Sequence, residues 1–191
     1  MAYKVATAPV LLPFTVAYVK TWLKIPASVT AEDTIVENLI KEAADLAEKF
    51  TSRALLTQTI EEYYDGWASC GEFMLSVAPV QSVTSVTYLA GGTYTTWDPS
   101  NYSVDNISEP CRVVAKSNSG LPSFDTSVPN AIKITYVAGA TAASGIPQTT
   151  LMGMLNEIAF RYENREDMPY GGSNSNRQRS ASALFMRDRM L

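Results

Sequence analysis

The chain has 191 residues, of which 46% are apolar and 18% charged, with a net charge of −4. That is enough chain for one sizeable core, or one core with an appended subdomain, and the balance excludes a disordered polypeptide. No histidine is present, which excludes Ser-His-Asp and Cys-His nucleophilic sites and the commonest zinc ligand. No apolar run of about 18 residues occurs either, so no transmembrane helix is expected.

The charge is unevenly spread. Residues 1–170 carry eleven basic and eighteen acidic side chains, a net −7, whereas 171–191 carry four arginines and one aspartate, a net +3. The body should repel nucleic acid, and the tail should be attracted to an acidic surface.

At the N-terminus, KVATAPVLLPFTVAYVK places a lysine before an apolar run, as a secretory signal does. Pro9 and Pro13 interrupt the run and no small-residue cleavage site follows, so an extended lead-in to a helix is expected instead. Thr15 can cap a short helix running to about Lys24, with Val16, Val19 and Leu23 on one side; Ile25-Pro26 ends it. A second helix is expected from Thr30, whose hydroxyl can cap it, with Glu32 and Asp33 at the positive end of the helix dipole. Ile35, Val36, Leu39, Ile40, Ala43, Leu46, Ala47 and Phe50 form one apolar stripe. Glu37–Lys41 and Asp45–Lys49 pair acid before base four residues apart on the outer face.

From Leu55 the composition turns to threonine, isoleucine and tyrosine. LLTQTIEEYYDGW reads as a strand, followed by strands at 72–77, 83–89, 93–97, 102–104, 112–115 and 131–137. Gly91-Gly92 is a hairpin signal, Asp98-Pro99-Ser100-Asn101 a turn, and 116–130 a long loop. After Ile146-Pro147 a helix is expected to about Glu166, with Leu151, Met154, Leu155, Ile158, Ala159 and Tyr162 inward and Glu157–Arg161 as an exposed pair. Gly171 to Asn176 has linker composition, and the last dozen residues can form a short helix or strand.

The expected fold is therefore α+β. It has a helical core (two N-terminal helices and one C-terminal helix), an inserted antiparallel β-rich subdomain, and an extended C-terminal arm. Its segments are 1–54, 55–146, 147–170 and a flexible docking arm at 171–191.

Candidate chemistry is sparse. Cys70 and Cys111 are too few for a disulfide framework and are not spaced as metal ligands. Two Asn-x-Ser matches, Asn101 and Asn106, mean little without a secretory route. Glu61 and Glu62 are neighbours on a strand and point to opposite faces. Glu163 and Glu166 could approach a magnesium ion, but with Arg161, Arg165 and Asp167 nearby a salt-bridge cluster is the plainer reading. Tyr63, Tyr64, Trp67, Tyr88, Tyr94, Trp97 and Tyr102 could build a stacking surface for a sugar or base, or serve as core and cross-strand pairs. No reacting constellation emerges, so neither an enzyme nor a cofactor is expected.

Several stretches, in order, resemble the head–tail connector (adaptor) proteins of long-tailed bacteriophages. FTSRALLTQTIEEYYDGW (50–67) is similar to the family's helix end, Arg-Ala-Leu junction and Thr-Gln-Thr strand opening. APVQSVTSVTYLAGGTYTTWDPSNYSVD (78–105) is similar to its Pro-x-x-Ser-Val strand, hairpin and Asp-Pro-x-x-Tyr turn. ITYVAGA (134–140), Ile146-Pro147 and RYENRED (161–167) match its final strand, the proline before the last helix, and that helix's end. The resemblance spans roughly 13 to 167. Ser52 stands where a glycine is usual, and Tyr18 where glutamate is frequent.

The resemblance implies a virion structural protein without catalysis, made in the host cytoplasm and located in the neck. It implies a homo-oligomeric ring, typically a dodecamer, beneath the portal protein. Such a ring receives the tail or a stopper and lets genomic DNA pass without specific binding or a membrane role. On that reading Glu37, Lys41, Asp45, Lys49, Arg161, Arg165 and Glu166 are candidate ring-interface residues. The arm would dock on the portal through Arg177, Arg179, Arg187 and Arg189, with Leu184, Phe185 and Leu191 filling apolar pockets. Another neck or tail-completion ring, or a carbohydrate- or nucleic-acid-binding β module, are the alternative readings.

Overall fold

The computed structural model describes residues 2–68, 71–117, 120–164 and 182–189. The chain divides into two compact units: Met1–Pro9 with Thr57–Gly139, and Val10–Leu56 with Ala140–Leu191. The fold is α+β, and the sheet unit begins with the N-terminus rather than at residue 55.

The sheet unit contains β1 (Ala2–Thr7), β2 (Gln58–Tyr64), β3 (Glu72–Met74), β4 (Val80–Ala90), β5 (Thr93–Thr96), β6 (Tyr102–Asp105), β7 (Arg112–Ala115) and β8 (Ile132–Ala138). They form a five-stranded sheet in the order β1-β2-β8-β4-β5 and a three-stranded sheet in the order β3-β7-β6. Every pairing between these strands is antiparallel. Period-two alternation positions the core: Gln58, Ile60 and Glu62 of β2 are buried, as are Ile132, Ile134, Tyr136 and Ala138 of β8. In register, Ile60 lies opposite Tyr136 and Glu62 opposite Ile134.

Two expectations need correction in this unit. The N-terminal segment is an edge strand, not only a lead-in, with Tyr3 opposite Glu62 and Val5 opposite Ile60. β4 also starts at Val80 rather than 83, because register shifts between Val80 and Ser82 and between Val83 and Ser85 let the pairing with β8 continue through two irregularities. The hairpin falls where expected: Gly91 and Gly92 have φ of 59° and 76°, which glycine adopts without the penalty a Cβ brings. Their N–H groups donate to the Asp125 carboxylate at 3.3 and 2.9 Å, so the 116–130 loop is tied to the turn it passes.

The helical unit contains α1 (Val16–Trp22), α2 (Asp33–Thr51), α3 (Gln148–Glu163) and a helical stretch at 182–187. Thr15 caps α1 as expected, its hydroxyl accepting from the Tyr18 N–H at 3.2 Å. α2 begins at Asp33, not Thr30: residues 30–33 make a turn closed by the Asp33 N–H on the Thr30 carbonyl at 3.2 Å, and Glu32 caps without a side-chain bond. At its far end Ser52 takes the left-handed conformation (φ 57°) that the glycine usual there adopts freely. α3 spans Gln148–Glu163, and Glu166, its expected end, lies outside the described residues.

The helical core collects Val19, Val36, Ile40, Ala43, Ala47, Leu55, Leu56, Ile146, Met154, Leu155, Ile158 and Phe185. Ile35, expected in the buried stripe, is 43% exposed. Among the described residues no helix is long and apolar enough to cross a membrane.

Candidate functional site

The polar clusters of the sheet unit are closed on themselves. Glu62 has no exposed surface. Its carboxylate accepts from the hydroxyls of Tyr64 at 3.0 Å, Tyr136 at 2.9 Å and Ser76, and from the Ser76 N–H at 3.0 Å. Burial, reinforced by that carboxylate, pushes both phenols far above their ordinary range, so they remain donors. On the opposite face Glu61 accepts from Tyr63 Oη at 2.7 Å and pairs with Lys4 at 3.0 Å and Lys133 at 3.4 Å. The Tyr63 hydroxyl, then Lys4, lowers its carboxyl to about 2. Asp105 is held well below the usual carboxylate range by Arg112, 2.7 Å away, and by Ser108. Each of these groups is matched to structural partners.

The aromatic residues of the β region pack on one another. Trp67 contacts Trp97 edge-on at 4.8 Å, and also Phe73 at 5.8 Å and Tyr88 at 6.2 Å. Tyr64 meets Phe73 at 4.7 Å and Trp97 meets Tyr102 at 5.3 Å. Tyr94 is 40% exposed, but Lys133 lies over its ring at 5.1 Å and its hydroxyl donates to the Asn130 carbonyl. These rings join the two sheets of the unit instead of forming a stacking platform.

What the helical unit presents outward is charge and exposed apolar side chains. Glu37–Lys41 and Asp45–Lys49 close at 2.7 and 2.6 Å on the outer face of α2, all four side chains exposed. Tyr18 and Trp22 stand one turn apart on α1, 51% and 41% exposed, a feature the sequence reading did not single out. Arg161 is engaged within the unit, its Nε 2.9 Å from Glu157 and its Nη1 3.3 Å from Glu42 of α2. Glu157 is buried, which corrects the exposed pair expected there: α2 covers that face of α3. Lys20 was missed altogether. Buried, it donates to the carbonyls of Ala27 at 3.3 Å and Val29 at 2.8 Å and pairs with Asp33 at 2.8 Å.

Part of the C-terminal arm packs on the helical unit. Phe185, expected to fill a partner's pocket, is 1% exposed within its own helical unit, beside the Phe50 ring at 6.0 Å. Leu184 is half-buried, while Arg187 and Arg189 are exposed. Arg165, Glu166, Arg177, Arg179 and Leu191 lie outside the described residues, as does Glu166 of the Glu163/Glu166 pair.

The described polar clusters of the sheet unit are thus satisfied internally, while the helical unit shows paired charges and exposed apolar side chains at its surface. The family model for head completion proteins matches residues 13–184, so the chain belongs to the head completion protein family, in keeping with the head–tail connector resemblance of its sequence. It is a phage head–tail structural protein. No curated protein matches the chain.

Among solved structures, it is similar to a chain from the neck of an empty gene transfer agent particle computed with C6 symmetry. That likeness has a TM-score of 0.81 and 23% identity, covering 100% of this chain and 96% of that one. A chain from the virion of a native gene transfer agent particle gives 0.80 and 21%, with the same coverage. One from the neck of the native particle computed with C12 symmetry gives 0.75 and 22%, again with that coverage.

Proposed function

We propose that this chain is a non-catalytic head–tail adaptor of the virion neck. Copies of it form a homo-oligomeric ring, twelve in number, beneath the portal. The ring joins the DNA-filled capsid to the tail or stopper and leaves a passage for the genome. The observation that carries this reading is the full-length likeness to neck chains of particles computed with C6 and C12 symmetry, added to the family match. The net −7 of residues 1–170 supports a DNA passage, since a wall that neutralised phosphates would bind the genome in a salt-dependent way.

In this proposal the helices make the ring. Glu37, Lys41, Asp45 and Lys49 lie at the contact between copies, Arg165 and Glu166 extend it, and Arg161 acts by holding α3 on α2. The arm meets the portal through Arg177, Arg179, Arg187, Arg189, Leu184 and Leu191. Light scattering on the chain alone and with purified portal tests the ring: a dodecamer-sized species on the portal is expected. A particle reconstruction with the chain away from the portal would favour another neck or tail-completion ring. A chain ending at Gly172 should lose portal affinity, and unchanged affinity would overturn the role of the arm.

A further inference from the structure

The helical unit carries a built seat for residues 182–189. Gly153 lies inside α3, where glycine is a poor helix former. Phe185 gives a reason for it: a Cβ on Gly153 would lie 2.6 Å from Phe185 Cε1. α3 starts with no side-chain cap and no acidic residue in its first turn. Asp188 supplies a carboxylate there from the far end of the chain, accepting from the hydroxyls of Thr149 and of Thr150, the latter at 2.7 Å. The positive end of the helix dipole favours that charge. Arg53 closes the other side, its Nε donating to the Asp188 carbonyl at 2.7 Å. The seat thus reads two features three residues apart, an aromatic ring and a carboxylate.

The 182–189 segment behaves as a peptide bound by its own chain. Six helical residues, 182–187, are too few to hold that form alone, so the seat orders them. Seventeen residues separate Asn164 from Ser182. That connection can span up to about 60 Å, while a compact body of about 100 residues is roughly 30 Å across. The seat of an adjacent copy is therefore within reach, and it offers the same contacts. In a closed ring each copy both gives a segment and receives one, so exchange leaves no seat empty.

Resting on the ring reading above, we propose that in the assembled ring the 182–189 segment of each copy fills the Gly153 seat of the next, stapling neighbours together. The test uses two full-length variants, Thr149→Cys and Asp188→Cys, each with Cys70→Ala and Cys111→Ala. Mixed, assembled and oxidised, they give a covalent dimer between the two variants only where the segment crosses between copies. We expect dimers in the ring fraction and none in a dilute unassembled mixture.

Because both substitutions remove a seat contact, a second measurement uses Phe185→Ala and Gly153→Met in the otherwise unaltered chain. Each should shorten the ring's lifetime on dilution by about tenfold, through faster dissociation. Rings that form without interchain dimers, and whose lifetime Phe185→Ala leaves unchanged, would overturn the exchange while leaving the ring itself standing. Light scattering that finds no ring from the unaltered chain under any condition, portal included, would overturn both.

Discussion

Glu62 shows how a single residue can misread as chemistry. A buried carboxylate ringed by two tyrosines and a serine looks like a reacting group until its donors are traced: Tyr64, Tyr136 and both Ser76 groups all point at it. Its role is to fix β2, β8 and the segment after β3 in one arrangement. Glu62→Leu should lower stability by about 3 kcal/mol in urea unfolding at pH 7, because the donors are left buried and unpaired. The adjacency of Glu61 and Glu62 was legible as two opposite faces. The partners were not, since they come from residues 2 to 74 positions away in sequence.

Glu61 governs a different response. Its folded pKa, about 2, lies below the ordinary glutamate value, so it contributes stability above roughly pH 4.3. That contribution is lost as pH falls through the folded value. Tyr63→Phe removes the largest cause of the depression. The variant should therefore be less stable than the parent at pH 7 and should lose less on going to pH 3, as read from urea midpoints. An unchanged acid limb would remove Tyr63 from this role.

At the scale of elements, the boundaries set by local chemistry were the readable ones. The Thr15 cap, the Gly91-Gly92 hairpin and the proline before α3 stand where their residues put them. Tertiary partners moved the rest. The helix expected from Thr30 starts three residues later, at Asp33, whose carboxylate pairs with Lys20 while the same ammonium holds the Val29 carbonyl. Lys20→Met should cost about 2 kcal/mol by leaving these acceptors without their donor, a loss that thermal unfolding would register. β1 escaped notice because all six of its residues are exposed: no alternation marks a strand that is defined only by the neighbour it pairs with. Glu157 was misassigned because spacing along one helix cannot say which face another helix covers.

At the scale of the whole molecule, the α+β class was legible, and the division of the chain was legible only in outline. The sheet unit draws on the first nine residues as well as 57–139, a pairing over more than fifty positions that no local pattern encodes. The uneven charge was readable directly, and it supports the DNA passage we propose. The candidate site was least legible where it mattered most. An apolar-tipped basic arm announced a contact, but Gly153 gave no sign in sequence that its empty Cβ position was reserved for Phe185.

The closed polar clusters of the sheet unit have a consequence for the proton balance of assembly. Among the described groups whose titration the fold shifts, the carboxyls of Glu61, Asp98 and Asp105 move down. Lys4, Arg112 and the phenols of Tyr63, Tyr64, Tyr102 and Tyr136 move up, and burial pushes the Cys111 thiol to about 11. Every shift leads away from neutrality, and the chain has no histidine to fill the gap. These groups of the sheet unit should therefore contribute almost no proton exchange to the proposed assembly near pH 7. Calorimetric heats of assembly in phosphate and in Tris at pH 7.5 should agree, whereas a heat that tracked the buffer would reveal a titrating contact. These clusters would keep one charge pattern across media near neutral pH.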